Sequence, residues 1–173
     1  MRILLSQQSL AARITELGAM ITRDYAGKDL VLACVLKGGF VFAADLVRAI
    51  DLPLRIEFLR GESYGACTES SGVVRVTLEP DTLLAGKDVL LVEDIVDTGR
   101  TSSQLLEVLQ AHRPKSLKVC SLLHKPAREV IPLPIHYLGF TIDDLFVVGF
   151  GLDQAGLYRN LPYIGVADPG DPV

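Results

Sequence analysis

Strand-length apolar runs alternate along this chain with segments that have helical spacing. The run at residues 30–36 (LVLACVL) is apolar throughout, and it lies between helical patterns at 9–25 and 40–50. A strand that is apolar at every position is buried on both faces, and strands separated by helices join a parallel sheet through right-handed crossovers. The sequence therefore predicts an α/β fold with a parallel sheet covered by helices on both faces.

The rest of the chain follows the same alternation. Further strands are expected at 54–58, 73–78, 89–92 and 117–123, and a further helix at 102–112. A chain of 173 residues, 49% of them hydrophobic, is long enough to bury roughly 70% of its unfolded surface in one core. We expect a single domain over residues 1–173, with a frayed Pro- and Asp-rich tail at 167–173.

Composition excludes several classes of function. A net charge of −4 and a pI near 5.3 disfavour a nucleic-acid or anionic-membrane surface, which would need clustered Lys and Arg. Three cysteines without CxxC spacing favour neither a disulfide framework nor a zinc site, and they indicate a cytoplasmic protein. No apolar run approaches the ~20 residues of a membrane span.

The strongest functional signal follows the predicted strand at 89–92. Glu93 and Asp94 come directly after it, Asp97 comes three residues later, and the Thr- and Gly-containing turn at 98–101 opens the next helix. Parallel sheets bind ligands at the carboxyl ends of their strands. The turn suits a phosphate, whereas the carboxylates suit sugar hydroxyls, Mg²⁺ or a proton. A phosphorylated sugar fits both halves.

An ordinary strand, turn and helix is the alternative interpretation, with Thr98 or Thr101 capping the helix and the carboxylates solvated. A cap alone does not require three acids, so we favour the functional interpretation. The phosphate-binding pattern GxxxxGK[ST] is absent, and no GxGxxG fingerprint follows any predicted strand. ATPase and dehydrogenase activities are therefore disfavoured.

The run VEDIVDTGRT at 92–101 resembles the phosphoribosyl-pyrophosphate-binding motif of type I phosphoribosyltransferases, and the acid at position 97 resembles the hypoxanthine-guanine branch. Five further segments resemble signatures of the bacterial enzymes in order and spacing, and the resemblance extends to about Val166. They are LKGG (36–39), SYG (63–65), LHKP (123–126), FVVGFGLD (146–153) and YRNLPYIG (158–165). The resemblance implies the type I phosphoribosyltransferase fold, a mainly parallel sheet with a small hood formed from the chain ends.

The resemblance also implies the activity, a Mg²⁺-dependent transfer of the 5-phosphoribosyl group from phosphoribosyl pyrophosphate to N9 of hypoxanthine or guanine in purine salvage. Glu93 and Asp94 would hold the ribose hydroxyls and the hydration shell of the metal. Asp97 would be the general base that takes the purine N7 proton. The residues that would bind the 5′-phosphate are those of the turn, Thr98, Gly99, Arg100 and Thr101.

Pyrophosphate recognition is implied for two separate segments. The resemblance places a non-proline cis peptide before Lys37, which would aim the N–H groups of Lys37 and Gly38 at the pyrophosphate. Arg159 would meet the leaving group, and Asp153 would hold a second Mg²⁺. From the residues alone, the glycines could simply form a turn, and Arg159 or Asp153 could be half of a surface ion pair.

A polar loop is expected at about 60–75, and in the resembling family it closes over the site so that Ser63 and Tyr64 meet the donor. A loop of this length in a compact domain is more often functional or disordered than idle. Closure matters because an oxocarbenium-like sugar carbon would otherwise react with water. The alternative is a long hairpin without a role, with Cys67 as an exposed thiol.

Base recognition is implied for two later segments. Lys125 resembles the lysine that donates to the purine O6, which gives a chemical basis for rejecting adenine, whose 6-amino group presents donors. Phe146 would stack on the purine, Leu152 would lie near its other face, and Val147 would contact the base edge through its backbone. Asp153 closes this purine-binding segment. On residues alone, Lys125 would be a solvated strand terminus and Phe146 a core residue.

Two rival functions stay open at this stage. One is a phosphoribosyltransferase that prefers xanthine, and the other is a nucleotide-sensing RNA-binding regulator of the same fold, although the acidic pI disfavours RNA. We assign no catalytic role to His112, His124 or His136, and Asp143-Asp144 is interpreted as a solvated turn. Relatives form dimers and tetramers, so a homodimer or homotetramer is expected.

Overall fold

The computed structural model describes residues 1–63, 74–77 and 83–167. Within these ranges, no helix is both long and apolar enough to cross a membrane. The strands are β1 (Arg2–Leu5), β2 (Leu30–Leu36), β3 (Leu54–Ser63), β4 (Val74–Thr77), β5 (Asp88–Val96), β6 (Ser116–His124), β7 (Tyr137–Thr141), β8 (Val147–Val148) and β9 (Ile164–Val166). The helices are α1 (Gln7–Asp24), α2 (Phe40–Ala49) and α3 (Arg100–Ala111), with a 3-10 turn at Pro126–Arg128.

Six strands of the described chain form the central sheet, in the order β4-β3-β2-β5-β6-β7. Strands β2, β3, β5, β6 and β7 run parallel, and β4 pairs antiparallel with β3. The first strand of the parallel set therefore lies inside the sheet, with neighbours on both sides. This arrangement confirms the predicted α/β fold with a mainly parallel sheet.

Strand β2 is covered on both faces. Leu32 and Cys34 pack in the cluster that contains α1 and α2, whereas Val31 and Ala33 pack in the cluster that contains α3. None of these four side chains is exposed. A strand with apolar layers on both sides needs an apolar residue at every position, which explains the uninterrupted run in the sequence.

A smaller sheet joins the two ends of the described chain. Strand β1 pairs antiparallel with β9, and β9 pairs antiparallel with β8, which gives the order β1-β9-β8. Because β1 and β9 come from opposite ends of the chain, this sheet corresponds to the hood that the resemblance implies. The hood prediction is therefore confirmed.

Strands β3 and β5 and helix α3 extend beyond the bounds that the apolar pattern predicted. Strand β5 was expected to end at residue 92 but continues to Val96, because Glu93 and Ile95 extend its ladder with β6. Strand β3 continues to Ser63, where β4 pairs with it. Helix α3 starts at Arg100 rather than at residue 102. Each extension contains polar residues that interrupt the apolar pattern, so periodicity does not reveal it.

The predicted loop at 60–75 is too wide. Residues 60–63 belong to β3 and residues 74–75 to β4, so the prediction was wrong for both ends of the segment. Residues 64–73, which include Tyr64 and Cys67, lie outside the described residues.

The predicted tail also starts one residue early. Ala167 is buried, and its N–H donates to the carbonyl oxygen of Phe146 at 3.0 Å, so it belongs to the hood. The remaining tail residues, 168–173, lie outside the described residues.

A leucine pair tests the two-faced core. Leu90 in β5 is fully buried, whereas Leu83 is 76% exposed. We expect Leu90→Ala to lower the free energy of unfolding by about 2–5 kcal/mol, because it removes buried methyl groups and leaves a cavity. Leu83→Ala, the control, should change it by no more than about 0.5 kcal/mol. Equal effects in urea unfolding of the two variants would contradict the packing described here.

Candidate active site

A cleft of about 340 Å³ opens at the carboxyl ends of β2 and β5. The ladder between these strands ends where Cys34 faces Val92, whereas β5 continues beside β6 as far as Val96. Because β2 no longer pairs with β5 beyond Val92, one edge of the last residues of β5 is left open. The polar residues that line the cleft are Glu93, Asp94, Asp97, Thr98, Thr101 and Ser102, and the glycines are Gly38 and Gly99.

Glu93 is a buried acid without a full set of partners. It is only 4% exposed, and its Oε1 atom accepts no hydrogen bond from the described residues. Burial raises the pKa of Glu93 to about 7, while a hydrogen bond from the Ser102 hydroxyl lowers it and the charge of Asp94 raises it further. A buried acceptor of this kind fits a ligand that brings its own donors, such as a sugar hydroxyl or metal-bound water.

Asp94 lies directly against the turn that follows β2. Burial raises the pKa of Asp94 to about 6, although hydrogen bonds from the backbone N–H groups of Asp94 and Ile95 lower it. A Cβ atom on Gly38 would overlap Oδ2 of Asp94, so only glycine allows this close approach. The carboxylate and the backbone of the β2 turn therefore occupy one compact site.

The β2 turn contains the cis peptide that the resemblance implies, between Leu36 and Lys37. The N–H of Gly39 closes the turn on the carbonyl oxygen of Val35 at 3.0 Å, and α2 starts at the next residue. The side chain of Lys37 is exposed, whereas Gly38 lines the cleft.

The turn at 98–101 leads into the N-terminus of α3. The N-cap position is Gly99, with φ of 77°, which has no side chain to cap the helix, and the N–H of Arg100 makes only a long contact of 3.5 Å with Thr98 Oγ1. Thr98 and Thr101 line the cleft beside it, and Arg100, the first residue of α3, is exposed. A helix N-terminus with a glycine at the N-cap and hydroxyl groups beside it is a suitable environment for a phosphate.

Backbone contacts from the segment after β6 fix this turn. The carbonyl oxygen of Thr98 accepts hydrogen bonds from the N–H groups of Val130 and Ile131, each at 3.0 Å. A Cβ atom on Gly99 would overlap the carbonyl oxygen of Ile131. Gly99 therefore has both a positive φ and a backbone contact that leaves no room for a side chain.

Asp97 lies at the open side of the cleft, where it meets a cation. Arg128 Nε is 2.8 Å from Asp97 Oδ1. Among the described residues, this oxygen therefore has an ion-pair partner but no hydrogen-bond donor. Asp97 is thus a carboxylate that can still accept a proton or a hydrogen bond from a ligand.

Lys125, at the end of β6, is not the solvated terminus that its sequence context alone suggests. The residue is only 7% exposed, and its Nζ atom lies 3.8 Å from Asp144 Oδ1. Its backbone N–H donates to the carbonyl oxygen of Val96 at 3.0 Å, which fixes it beside the end of β5. Asp144 is exposed as expected, but it is an ion-pair partner rather than a purely solvated residue.

The segment after β7 presents one exposed ring above buried neighbours. Phe146 is 57% exposed, so the alternative of a core phenylalanine is wrong. Val147 in β8 and Leu152 are both buried. An exposed aromatic ring supported by packed apolar side chains is suited to stacking against a planar ligand.

Asp153 and Arg159 pair with each other across the hood. Arg159 Nη2 is 2.6 Å from Asp153 Oδ1, and Arg159 Nη1 donates to the carbonyl oxygen of Gly151 at 2.7 Å. A Cβ atom on Gly151, with φ of 101°, would overlap the carbonyl oxygen of Gly38. The hood therefore touches the β2 turn, and the charges of Arg159 and Asp153 both act on Asp94.

Comparison with known proteins agrees with this geometry. Residues 2–155 match the phosphoribosyl transferase domain family. The chain belongs to this family.

Curated relatives cover almost the whole chain. One is the hypoxanthine-guanine phosphoribosyltransferase of Mycobacterium avium, 48% identical over an alignment of 173 positions that covers 96% of this chain and 85% of the relative. Another is the hypoxanthine phosphoribosyltransferase of Escherichia coli (strain K12), 43% identical, with 94% and 93% covered.

Solved structures agree at the level of the fold. A hypoxanthine phosphoribosyltransferase from Staphylococcus aureus superposes with a TM-score of 0.92 at 43% identity, covering 97% of this chain and 91% of that one. A hypoxanthine-guanine phosphoribosyltransferase from Bacillus anthracis superposes with a TM-score of 0.91 at 43% identity, covering 97% and 99%.

Sequence reasoning missed two residues of this phosphoribosyl transferase domain. Ser102 was assigned only to the predicted helix, yet it is buried beside Glu93. Arg128 was not singled out, although it contacts Asp97. The sequence did offer one signal for Arg128, because it follows Lys125 by three residues, just after the strand that pairs with β5.

Two residues were predicted to meet the donor from the loop at about 60–75. Ser63 is the last residue of β3, and Tyr64 lies outside the described residues.

Gly38→Ala tests the contact between the β2 turn and Asp94. The added methyl group would displace the Asp94 carboxylate, and a lost hydrogen-bonding position of this kind corresponds to about tenfold or more weaker binding of phosphoribosyl pyrophosphate. Isothermal titration calorimetry measures the effect. Gly86→Ala is the control, because its Cβ would meet open space, although its φ of 72° adds local strain. Donor affinity that is unchanged in Gly38→Ala would contradict the proposed contact.

Proposed function

We propose that this protein transfers the 5-phosphoribosyl group from phosphoribosyl pyrophosphate to N9 of hypoxanthine or guanine, giving IMP or GMP and pyrophosphate in purine salvage. The observation that carries the proposal is that the carboxylates Glu93 and Asp94 share one cleft with the N-terminal turn of α3, where the N-cap residue is a glycine. Family membership and relatives of 42–48% identity that are named for this activity support it.

The donor fits the strand end and the turn. The N–H groups and hydroxyls of residues 98–101 would bind its 5′-phosphate, whose negative charge is favourable at a helix N-terminus. The ribose hydroxyls would donate to Glu93 and Asp94, and Oε1 of Glu93 has a free acceptor position for one of them. This supports positioning, rather than bond making, as the role of the two carboxylates.

The same carboxylate pair fits Mg²⁺. Within the described ranges, no group of three or more His, Cys, Asp or Glu side chains could hold a metal ion alone. Mg²⁺ usually keeps several waters and shares the phosphates of its substrate, so one or two carboxylates suffice. Glu93 and Asp94 would hold one ion and Asp153 a second. The metal would neutralise charge on the leaving pyrophosphate.

Pyrophosphate would lie between the β2 turn and the hood. The N–H groups of Lys37 and Gly38 and the guanidinium of Arg159 are the candidate donors, and Gly151 already contacts Gly38 across this gap. Arg159 would exchange part of its pairing with Asp153 for the anion. Ser63 and Tyr64 would meet the donor from the segment between β3 and β4.

The purine would lie between Asp97 and Lys125 with its ring against Phe146. The Lys125 ammonium would donate to O6, Leu152 would face the ring, and the backbone of Val147 would contact the base edge. The exposed ring of Phe146 and the buried position of Lys125 support this placement. The 6-amino group of adenine presents N–H donors, as the Lys125 ammonium does, so no hydrogen bond could form between them. This disfavours adenine.

The reaction replaces one bond at the sugar C1′ atom with another. The bond from C1′ to the pyrophosphate oxygen breaks, and the oxygen keeps the electron pair. N9 of the purine supplies the pair for the new bond, and the proton on N7 passes to the Asp97 carboxylate. Asp97 is suited to this step because its Oδ1 atom has no hydrogen-bond donor among the described residues.

Pyrophosphate release with a panel of bases tests the function directly. We expect release with hypoxanthine and guanine and none with adenine or uracil. Fastest turnover of xanthine would contradict the proposed base preference and support a xanthine enzyme. No release with any base, together with nucleotide-dependent RNA binding, would overturn the proposal in favour of a regulator of the same fold.

Asp97→Asn tests the assignment of the base. Loss of general base catalysis lowers kcat by about 10²–10⁴-fold, while the affinity for phosphoribosyl pyrophosphate should stay within about twofold because Asn preserves the shape of the side chain. Steady-state kinetics and donor titration measure the two effects. Asp143→Asn, at an exposed acid near the site, is the matched control. A kcat near the wild-type value in Asp97→Asn would rule out the assigned role.

A further inference from the structure

Four charged side chains form a continuous chain across the purine side of the cleft. Asp97 Oδ1 lies 2.8 Å from Arg128 Nε, and Arg128 Nη1 lies 3.6 Å from Asp144 Oδ2. The other oxygen of that carboxylate, Asp144 Oδ1, lies 3.8 Å from Lys125 Nζ. The charges alternate, so each carboxylate has a cation beside it. We call these four residues the purine-side charge chain.

The backbone places Arg128 between the two ends of this chain. Arg128 closes the 3-10 turn after β6, and its N–H donates to the carbonyl oxygen of Lys125 at 3.1 Å. Two residues later, Val130 donates to the carbonyl oxygen of Thr98, next to Asp97. The segment that carries Arg128 is therefore attached both to the strand end of Lys125 and to the turn of Asp97.

The two ends of the chain face two atoms of one purine edge. In the proposed function, Asp97 takes the proton from N7 and Lys125 donates to O6, and these two atoms are adjacent along one edge of the purine. Without Arg128, the ammonium of Lys125 would be the nearest cation in the chain for both carboxylates. Asp97 would then be attracted toward Lys125, and the two side chains would form an ion pair with each other instead of contacting the base.

We propose that Arg128 is a positioning residue that keeps the Asp97 carboxylate separate from the Lys125 ammonium, with Asp144 as the linking carboxylate. The pair Arg128 and Asp144 thereby sets the spacing at which N7 and O6 are recognised. This inference rests on the proposed function, because it assigns a role in the same reaction.

A purely structural ion pair is the competing explanation. Arg128 and Asp144 are both half-exposed, and exposed ion pairs contribute little to stability. The two explanations differ in what they change. A structural pair would affect only the melting temperature, whereas a positioning pair affects purine kinetics and leaves donor binding intact.

Arg128→Gln separates these cases. We expect kcat/KM for hypoxanthine to fall by about tenfold to a hundredfold, with KM for phosphoribosyl pyrophosphate within about twofold of wild type. Arg128→Lys should recover part of the loss, because it keeps the charge but not the planar fork. Arg48→Gln, which breaks an exposed ion pair with Asp45 on α2, is the matched control and should behave as wild type.

Asp144→Asn tests the linking carboxylate. Loss of its charge should raise KM for hypoxanthine and weaken the preference for hypoxanthine over adenine, because Lys125 loses its anchor. The double variant with Arg128→Gln should lose less than the product of the single losses, since both changes break one chain. Independent, multiplicative losses would contradict a shared chain.

Wild-type protein is assayed first with hypoxanthine and guanine. Absence of transfer with both bases would overturn the proposed function and this inference with it. Wild-type activity combined with normal purine kinetics in Arg128→Gln would overturn the inference alone. An equal rise in the KM of donor and purine would also overturn it, because Arg128 would then not act on the purine side specifically.

Discussion

Strand β5 has two neighbours as far as Val92 and only β6 beyond it among the described strands, and the site depends on this change. Up to Val92, both faces and both edges of the strand are covered, which requires apolar side chains. Beyond Val92, the departure of β2 leaves space where Glu93 and Asp94 can remain polar and still be held by a sheet ladder. A rigid strand thus carries the carboxylates into a ligand-sized cleft, so their positions do not depend on a loop.

Close backbone contacts then gather the other segments around that strand end. Gly151 brings the hood against Gly38, and Gly99 brings the turn at 98–101 against the segment after β6. The N–H of Lys125 joins β6 to β5 at the carbonyl oxygen of Val96. Because main-chain atoms make these contacts, the side chains at the same positions remain available for a ligand. The glycines in the recognised motifs therefore have a steric reason in this fold.

Much of the fold and of the site could be predicted from sequence, and what could not has definite physical causes. Amphipathic helices repeat with a period that the sequence shows directly, and a strand buried on both faces appears as an uninterrupted apolar run, as in β2. The extension of β5 to Val96 depends on pairing with β6, a partner distant in sequence. Strands β8 and β9, two and three residues long, are too short for any period. Arg128 acquires its partners only when two strand ends meet, so local pattern could not identify its role.

Burial differs between the two halves of the cleft. On the donor side, Glu93 is buried with an acceptor that finds no donor in the described chain, which favours a ligand rich in hydroxyl groups and bound cations. On the side of Asp97 and Lys125, Phe146 presents an exposed ring, and the charged groups are joined by ion pairs through Arg128 and Asp144. A purine that stacks on this ring removes apolar surface from water, which is favourable without any new charge. In the proposed function, recognition of the donor would therefore be mainly electrostatic, whereas recognition of the base would combine stacking with two directed polar contacts.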